Sequence, residues 1–318
     1  MPVRPPLSRP AGCGAGVLGL ALAVDAALGE PPERLHPVVW MGRGVSLLVP
    51  EDGPAPARGR LLRGAAVTAA GGALAAGAGV LLTRAAGRLG PAGAAVEAVA
   101  LSSLLALRSL VEAARQVAAA LEADDRDAAR RHLRWLVGRD LDGLEPPLLA
   151  SAAVESLAEN LSDSVVAPLL HARVGGLPAA ALYRFANTAD ASVGYRDRFL
   201  LGGRAAARLD DLLGLLPARL SAVLIAAAVP AGRGSPRAAL RCWREDHRAT
   251  ASPNAGHPMA AMAGGLGVRL EKRGHHVLNP GGRPCLPGDV HRAVAAARAA
   301  AVAAVGVCAL LPAPGPRR

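Results

Sequence analysis

Glu155, Glu159 and Asp163 recur at i, i+4 and i+8, so on an α-helix their carboxylates form one stripe, with Ser156, Asn160 and Ser164 beside it. Like charges one turn apart repel, weakly in water and more strongly when desolvated. A hard cation relieves that repulsion, and oxygen ligands of this type suit Mg²⁺ carrying bound phosphate. A wet helix face would intersperse basic residues among the acids, yet 148–170 contains neither Lys nor Arg. Glu155, Glu159, Asn160 and Asp163 are therefore read as catalytic, with the three carboxylates as Mg²⁺ ligands.

A second block runs from Tyr183-Arg184 through Asn187-Thr188-Ala189-Asp190 and Gly194-Tyr195-Arg196 to Arg208-Leu209-Asp210-Asp211. Guanidinium groups alternating with acids and an amide can grip phosphate oxygens with Arg and a metal with Asp. Asn187 and Asp190 join the catalytic candidates; Tyr195, Arg196, Arg208, Asp210 and Asp211 are substrate-binding candidates. Structural ion pairs, Asp190 with Arg184 and Asp210 with Arg208, would use the same residue types. A third block, Ser252-Pro253-Asn254-Ala255-Gly256-His257-Pro258, follows Glu245-Asp246-His247. Its Pro and Gly are explained by a turn, whereas Ser252 and Asn254 are substrate-binding candidates. His247 and His257 are either structural or acid–base groups. Near the N-terminus, Asp25 precedes a Gly-Glu-Pro-Pro turn and a segment holding His36, Trp40 and Arg43. A carboxylate in an apolar helix needs a partner, so Asp25, His36 and Arg43 are read as substrate-binding, and Trp40 as an interfacial anchor or a stacking platform.

The elements that must position these groups are apolar. Of the 318 residues 52% are hydrophobic and only 2% aromatic, so the mass is Ala, Leu, Val and Gly, which suits close helix packing in lipid. Apolar stretches near 13–29, 64–82, 92–107, 164–182, 212–229 and 294–311 approach the roughly 20 residues that cross a bilayer. The first runs into Asp25 without a clean cleavage site and is read as a membrane helix rather than a signal peptide. Glu97 and Arg108 bracket the third, and Pro168, His171 and Arg173 interrupt the fourth, which leaves interfacial or re-entrant helices open there. The fold class that follows is all-α: one polytopic membrane domain over 1–318 with about four to six membrane helices. Extramembrane parts are a helical hairpin at about 108–147, where Val111, Ala114, Val117, Ala118 and Leu121 keep helical spacing, and a loop at about 232–290 with short helices. Asp124, Asp125 and Asp127 read as the start of the hairpin's second helix rather than as metal ligands.

The net charge of +11, with Lys272 the only lysine, comes from arginines spread through every polar loop. Nucleic-acid binding would require basic clusters interleaved with stacking aromatics, and neither is visible, so anionic headgroups and phosphorylated substrates are the expected partners. Cys13, Cys242, Cys285 and Cys308 form no CxxC pair and have no His at zinc spacing, which argues against a disulfide framework or a zinc site.

These blocks, in this order, resemble the CobD/CbiB family of cobalamin-biosynthesis proteins. The likeness is carried by the Asp25 to Arg43 block, ESLAENLSDSVVAP from Glu155, the NTxDAxVGY pattern from Asn187, AARLDDLL from Ala206, PARL from Pro217, SPNAG from Ser252 and MAAMAGGLGVRLEK from Met259. Gly214 departs from the Asn expected after Leu-Asp-Asp-Leu-Leu, and Gly274-His275-His276 departs from the usual segment after the Glu-Lys pair. The resemblance implies adenosylcobinamide-phosphate synthase activity in the cell (cytoplasmic) membrane, by which adenosylcobyric acid is ligated to (R)-1-aminopropan-2-ol phosphate. ATP would be the co-substrate with Mg²⁺, with no tightly bound cofactor, and other membrane enzymes of the corrinoid pathway would be partners. No GxxxxGK[ST] loop occurs, so Arg and carboxylate groups would hold the nucleotide. A sensory membrane protein of the same superfamily would not need the Glu155 stripe or the Asn187 block. A small-solute transporter would show repeated helix halves, which are not visible.

Overall fold

The computed structural model describes residues 12–49, 56–138, 140–194, 199–229 and 235–312. In chain order the helices are α1 (Ala15–Leu28), α2 (Pro37–Leu48), α3 (Ala57–Gly87), α4 (Pro91–Ser102), α5 (Leu107–Glu122), α6 (Arg126–Leu133), α7 (Pro146–Leu161), α8 (Ala167–Val193), α9 (Arg204–Ala228), α10 (Pro236–Asp246), α11 (Gly256–Leu266) and α12 (Pro287–Leu310). A π-turn, Ser162–Val166, joins α7 to α8, and two three-residue strands, β1 (Leu270–Lys272) and β2 (His276–Leu278), pair antiparallel with Leu270 opposite Leu278. The fold is thus an all-α polytopic membrane architecture. Among the described residues, five helical segments are long and apolar enough to cross a bilayer: Ala57–Gly87, Pro91–Glu122, Pro146–Val193, Arg204–Ala228 and Pro287–Leu310.

The expectation of a spanning helix at 13–29 is not met. α1 has 14 residues, short of the roughly 20 that a bilayer core requires, because Gly29 ends it at φ 74° and donates its N–H back to the Asp25 carbonyl.

Contacts divide the described chain into two compact units, 12–105 with 167–213 and 305–312, and 106–166 with 214–304. The first unit is built on α3 and α8. Along α3 the buried positions are Gly64, Thr68, Gly72, Ala75, Gly79 and Ala86, a row of small side chains that lets backbones approach. A Cβ on Gly79 would stand 2.6 Å from the Pro178 nitrogen. That contact falls where α8 breaks, at Gly176 with φ 69° just before Pro178. The polar residues that interrupt the 164–182 stretch are satisfied inside the unit. Arg173 donates to the carbonyls of Cys13 and Leu311 at 3.1 and 3.0 Å, and His171 stacks on Tyr183 with ring centroids 4.9 Å apart.

In the second unit the expected hairpin is present. α5 buries Val111, Ala114, Val117, Ala118 and Leu121 along one face, and Asp125 caps α6 by accepting from the Ala128 N–H at 2.8 Å. α7 is buried over nearly its whole length because α5, α6, α11 and β1 all pack against it. The start of α12 is fixed by Asp289, buried and gripped by both Arg283 Nη atoms at 2.6 and 2.7 Å, by Arg292 and by the Leu286 N–H at 2.8 Å. All four cysteines are buried and free; burial pushes the Cys242 thiol up to about 12 and raises Cys285 as well, so neither is a thiolate.

Candidate functional site

In the second unit, Glu155 is 5% exposed, turned into the core from the middle of α7. Its Oε1 accepts from Ser151 Oγ at 3.2 Å, and the same hydroxyl accepts from the Glu271 N–H of β1 at 2.8 Å. His276 of β2 brings its Nε2 within 3.8 Å of Glu155 Oε1. One turn on, Glu159 and Asp163 are half-buried, and Asn160 donates to the Ser156 carbonyl and hydroxyl at 3.0 and 3.1 Å. Ser156 itself donates to the Leu136 carbonyl at 2.7 Å, so Ser156 and Asn160 both bond within the protein.

The expectation that Glu155, Glu159 and Asp163 share one Mg²⁺ does not follow from this geometry. Among the described residues no three His, Cys, Asp or Glu side chains are grouped to hold a metal. Glu155 faces Ser151 and His276, and the π-turn that opens at Ser162 takes Asp163 out of the register of an α-helical stripe. Mg²⁺ commonly takes only one or two carboxylates and completes its shell with water and phosphate.

The Ser252 block folds onto the end of α10. Ser252 Oγ accepts from the N–H groups of Asn254 and Ala255, each at 3.2 Å, which is the expected turn. Gly256 lies inside the turn closed by the His257 N–H on the Asn254 carbonyl at 3.1 Å, and it has a second role. A Cβ there would lie 2.1 Å from the His247 carbonyl oxygen, so glycine is needed for close approach. That approach sets His257 beside His247, ring centroids 4.6 Å apart, and gives its Nδ1 a hydrogen bond from Trp243 Nε1 at 2.7 Å. Burial foremost, then the charges of Arg219 and His247, hold His257 down to about 4, against an opposing pull from the Pro253 carbonyl. Asn254 is buried; its Oδ1 accepts from Arg219 Nη1 at 3.4 Å, and its amide fills space that a side chain at Gly214 would enter. The departure from Asn at 214 thus makes room for Asn254.

In the first unit α2 packs on α8, with Gly42 against Thr188 and Ser192. His36 caps α2: Nδ1 accepts from the Val38 N–H at 3.3 Å, and Nε2 meets Glu30 Oε1 at 3.1 Å. Both ring nitrogens are engaged within the protein, a structural assignment where substrate contact was expected. Arg43 pairs with Glu33 at 3.1 Å on the surface, an exposed pair that contributes little. Asp25 is wholly buried, and Trp40 is half-exposed, as an interfacial anchor would be. On α8, Arg184 Nη1 donates to Asn187 Oδ1 at 3.1 Å, while Asp190, half-buried, lies within Coulombic range of Asp211 on α9. Asp210 is half-buried as well, and Arg208 is exposed. Tyr195 and Arg196 lie outside the described residues.

The sequence reading missed Ser151, Arg219, Trp243 and His276, which hold or face Glu155, Asn254 and His257 in the structure. Ser151 stands one helical turn before Glu155 and was open to detection by spacing. The other three act across long sequence separations: Arg219 sits in the PARL motif and His276 in the Gly274-His275-His276 segment, but no local pattern gives their partners.

The comparisons agree with the motifs. The family described as CobD/Cbib protein matches residues 18–305. A probable cobalamin biosynthesis protein CobD from Methanothermobacter thermautotrophicus is 42% identical over 274 residues, covering 85% of this chain and 87% of the relative. Cobalamin biosynthesis proteins CobD from Dehalococcoides mccartyi and Mycobacterium tuberculosis (strain CDC 1551 / Oshkosh) are 40% and 41% identical, covering 85% and 93% of this chain and 88% and 95% of their own lengths. No solved structure matches. With a family match across almost the whole chain and relatives this similar, the chain belongs to the CobD/CbiB family.

Proposed function

We propose that this chain is a multi-pass enzyme of the cytoplasmic membrane acting in cobalamin biosynthesis, where it joins a carboxylate of adenosylcobyric acid to the amine of (R)-1-aminopropan-2-ol phosphate as ATP is consumed. The observation that carries the reading is the match over residues 18–305 to a family whose relatives are named for cobalamin biosynthesis. A carboxylate is a poor electrophile, and phosphorylation turns its oxygen into a leaving group. That step concentrates negative charge, so it needs cations and directed donors around the phosphates. Asp190 with Asp211 in the first unit, and Glu159 with Asp163 in the second, are the carboxylates that suit Mg²⁺; the ion would neutralise phosphate charge. Asn187 and Arg184 present an amide and a guanidinium on the same helix face.

The test is direct. Detergent-solubilised protein given adenosylcobyric acid, the amino alcohol phosphate and Mg-ATP should yield adenosylcobinamide phosphate and one equivalent of cleaved ATP, and absence of the amide would overturn the reading. Within the same assay, Glu159→Gln keeps side-chain size and removes a charge. It is expected to raise the Mg²⁺ concentration for half-maximal rate by about tenfold, the order that one carboxylate contact to a cation contributes. A titration that overlays the parent would assign Glu159 to structure.

A further inference from the structure

We propose that Trp243 presets His247 and His257 as a proton acceptor and a hydrogen-bond donor for the amide-forming step. This deepens the ligase reading and rests on it. An indole N–H can only donate, so the 2.7 Å bond from Trp243 Nε1 makes His257 Nδ1 the acceptor and places the proton of the neutral ring on Nε2. A backbone carbonyl can only accept, so the 2.8 Å contact between His247 Nδ1 and the Trp243 oxygen places that ring's proton on Nδ1 and leaves the lone pair on Nε2. One residue thereby fixes opposite tautomers in two imidazoles 4.6 Å apart. Packing alone would be served by any aromatic ring at 243. Gly256 keeps the arrangement tight, since a side chain there would strike the His247 carbonyl.

The chemistry that uses such a pair is attack of an amine on an acyl phosphate. The amine lone pair forms the carbon–nitrogen bond, the carbon–oxygen bond to phosphate breaks, and phosphate leaves with that electron pair. The surplus proton of the amine passes to His247 Nε2, while His257 Nε2–H donates to the acyl oxygen as negative charge gathers there. Burial, and the charged and titratable groups that face His257, Arg219 from α9 and His247 from α10, oppose a second proton on its ring and outweigh the opposing pull of the Pro253 carbonyl. His257 is thus kept as a neutral donor.

The experiment is nitrogen-15 spectroscopy of the imidazoles in the full chain in detergent, combined with the pH profile of amide formation. In the parent, His257 is expected as the Nε2–H tautomer and His247 as Nδ1–H. Trp243→Phe keeps a ring but removes the indole donor. It should raise the His257 titration midpoint from about 4 by a unit or more, lower kcat about tenfold and move the acid limb of the rate profile with that midpoint. His247→Asn retains a donor to the Trp243 carbonyl but has no base, so kcat should fall about 100-fold at nearly constant KM. His257→Gln, which restores an N–H at the Nε2 position, should be more active than His257→Asn. Finding both parent rings in one tautomer overturns the assignment. A parental pH profile and kcat in Trp243→Phe and His247→Asn overturn the catalytic role even where the spectra agree. Failure of the parent to form the amide overturns the ligase reading and the proton-transfer step together, while the spectra still decide the tautomers.

Discussion

Asp289→Ala is expected to destabilise the second unit by about 3 kcal/mol, because removing one partner of a buried ion pair leaves its counter-charges behind. The Asp289 side chain is 3% exposed and holds two guanidiniums and a backbone N–H at once. Arg283 and Arg292 remain about one quarter exposed, so water recovers part of their loss and the estimate sits at the low end of the buried-pair range. The consequence reaches beyond one pair. Arg292 also donates to the Leu266 carbonyl at 3.1 Å, at the end of α11, so the knot ties α12 to the helix that begins with His257. Chemical denaturation of the detergent-solubilised chain should show a lowered midpoint for Asp289→Ala. His291→Ala, which removes only the exposed pair with Glu122 at 3.1 Å, should shift it by less than about 1 kcal/mol. Equal midpoints for the two variants would mean that the knot does not stabilise the unit.

What the sequence disclosed depended on whether the cause was local. The α5–α6 hairpin was legible because a 3.6-residue period and an Asp cap act within one or two turns, and Val111 through Leu121 bury as that period requires. The long apolar spans were legible from composition, yet which face of α3 carries Gly64, Gly72 and Gly79 against a neighbour was not, since glycines occur all round that helix. The stripe arithmetic for Glu155, Glu159 and Asp163 assumed one unbroken α-helix, and the π-turn at Ser162–Val166 depends on packing that periodicity does not record. Glu155 itself stands out in the sequence as a carboxylate without basic neighbours. Its surroundings were not foreseeable, because His276 comes from a hairpin in a segment that reads as loop. The Ser252 block was visible as a turn, while the Trp243 donor and the close approach of Gly256 to His247 appear only once α10 and α11 are packed.

Gly194→Ala is expected to lower kcat by about 100-fold, a cost of the size that an ångström-scale misplacement of a reacting group produces. The Gly194 N–H donates to the Asp190 carbonyl at 2.6 Å, and a Cβ at 194 would stand 2.3 Å from Asp190 Oδ1 and 2.5 Å from that carbonyl oxygen. No real Cβ is tolerated at such distances, so the Asp190 carboxylate must swing aside and the backbone at the end of α8 must shift to clear the carbonyl. Both movements displace a group that already lies within Coulombic range of Asp211. Gly42→Ala provides the contrast on the same helix pair, because its Cβ would meet Ser192 Oγ and Thr188 Cγ2 at 3.4 Å, tight but within ordinary adjustment. That variant should keep most of its activity. If the loss in Gly194→Ala passes through Asp190, combining it with Asp190→Asn should cost scarcely more than Asp190→Asn alone, since residues acting as one unit are not additive. Fully additive losses would show instead that Gly194 only maintains the end of α8 and that Asp190 is not the group being positioned.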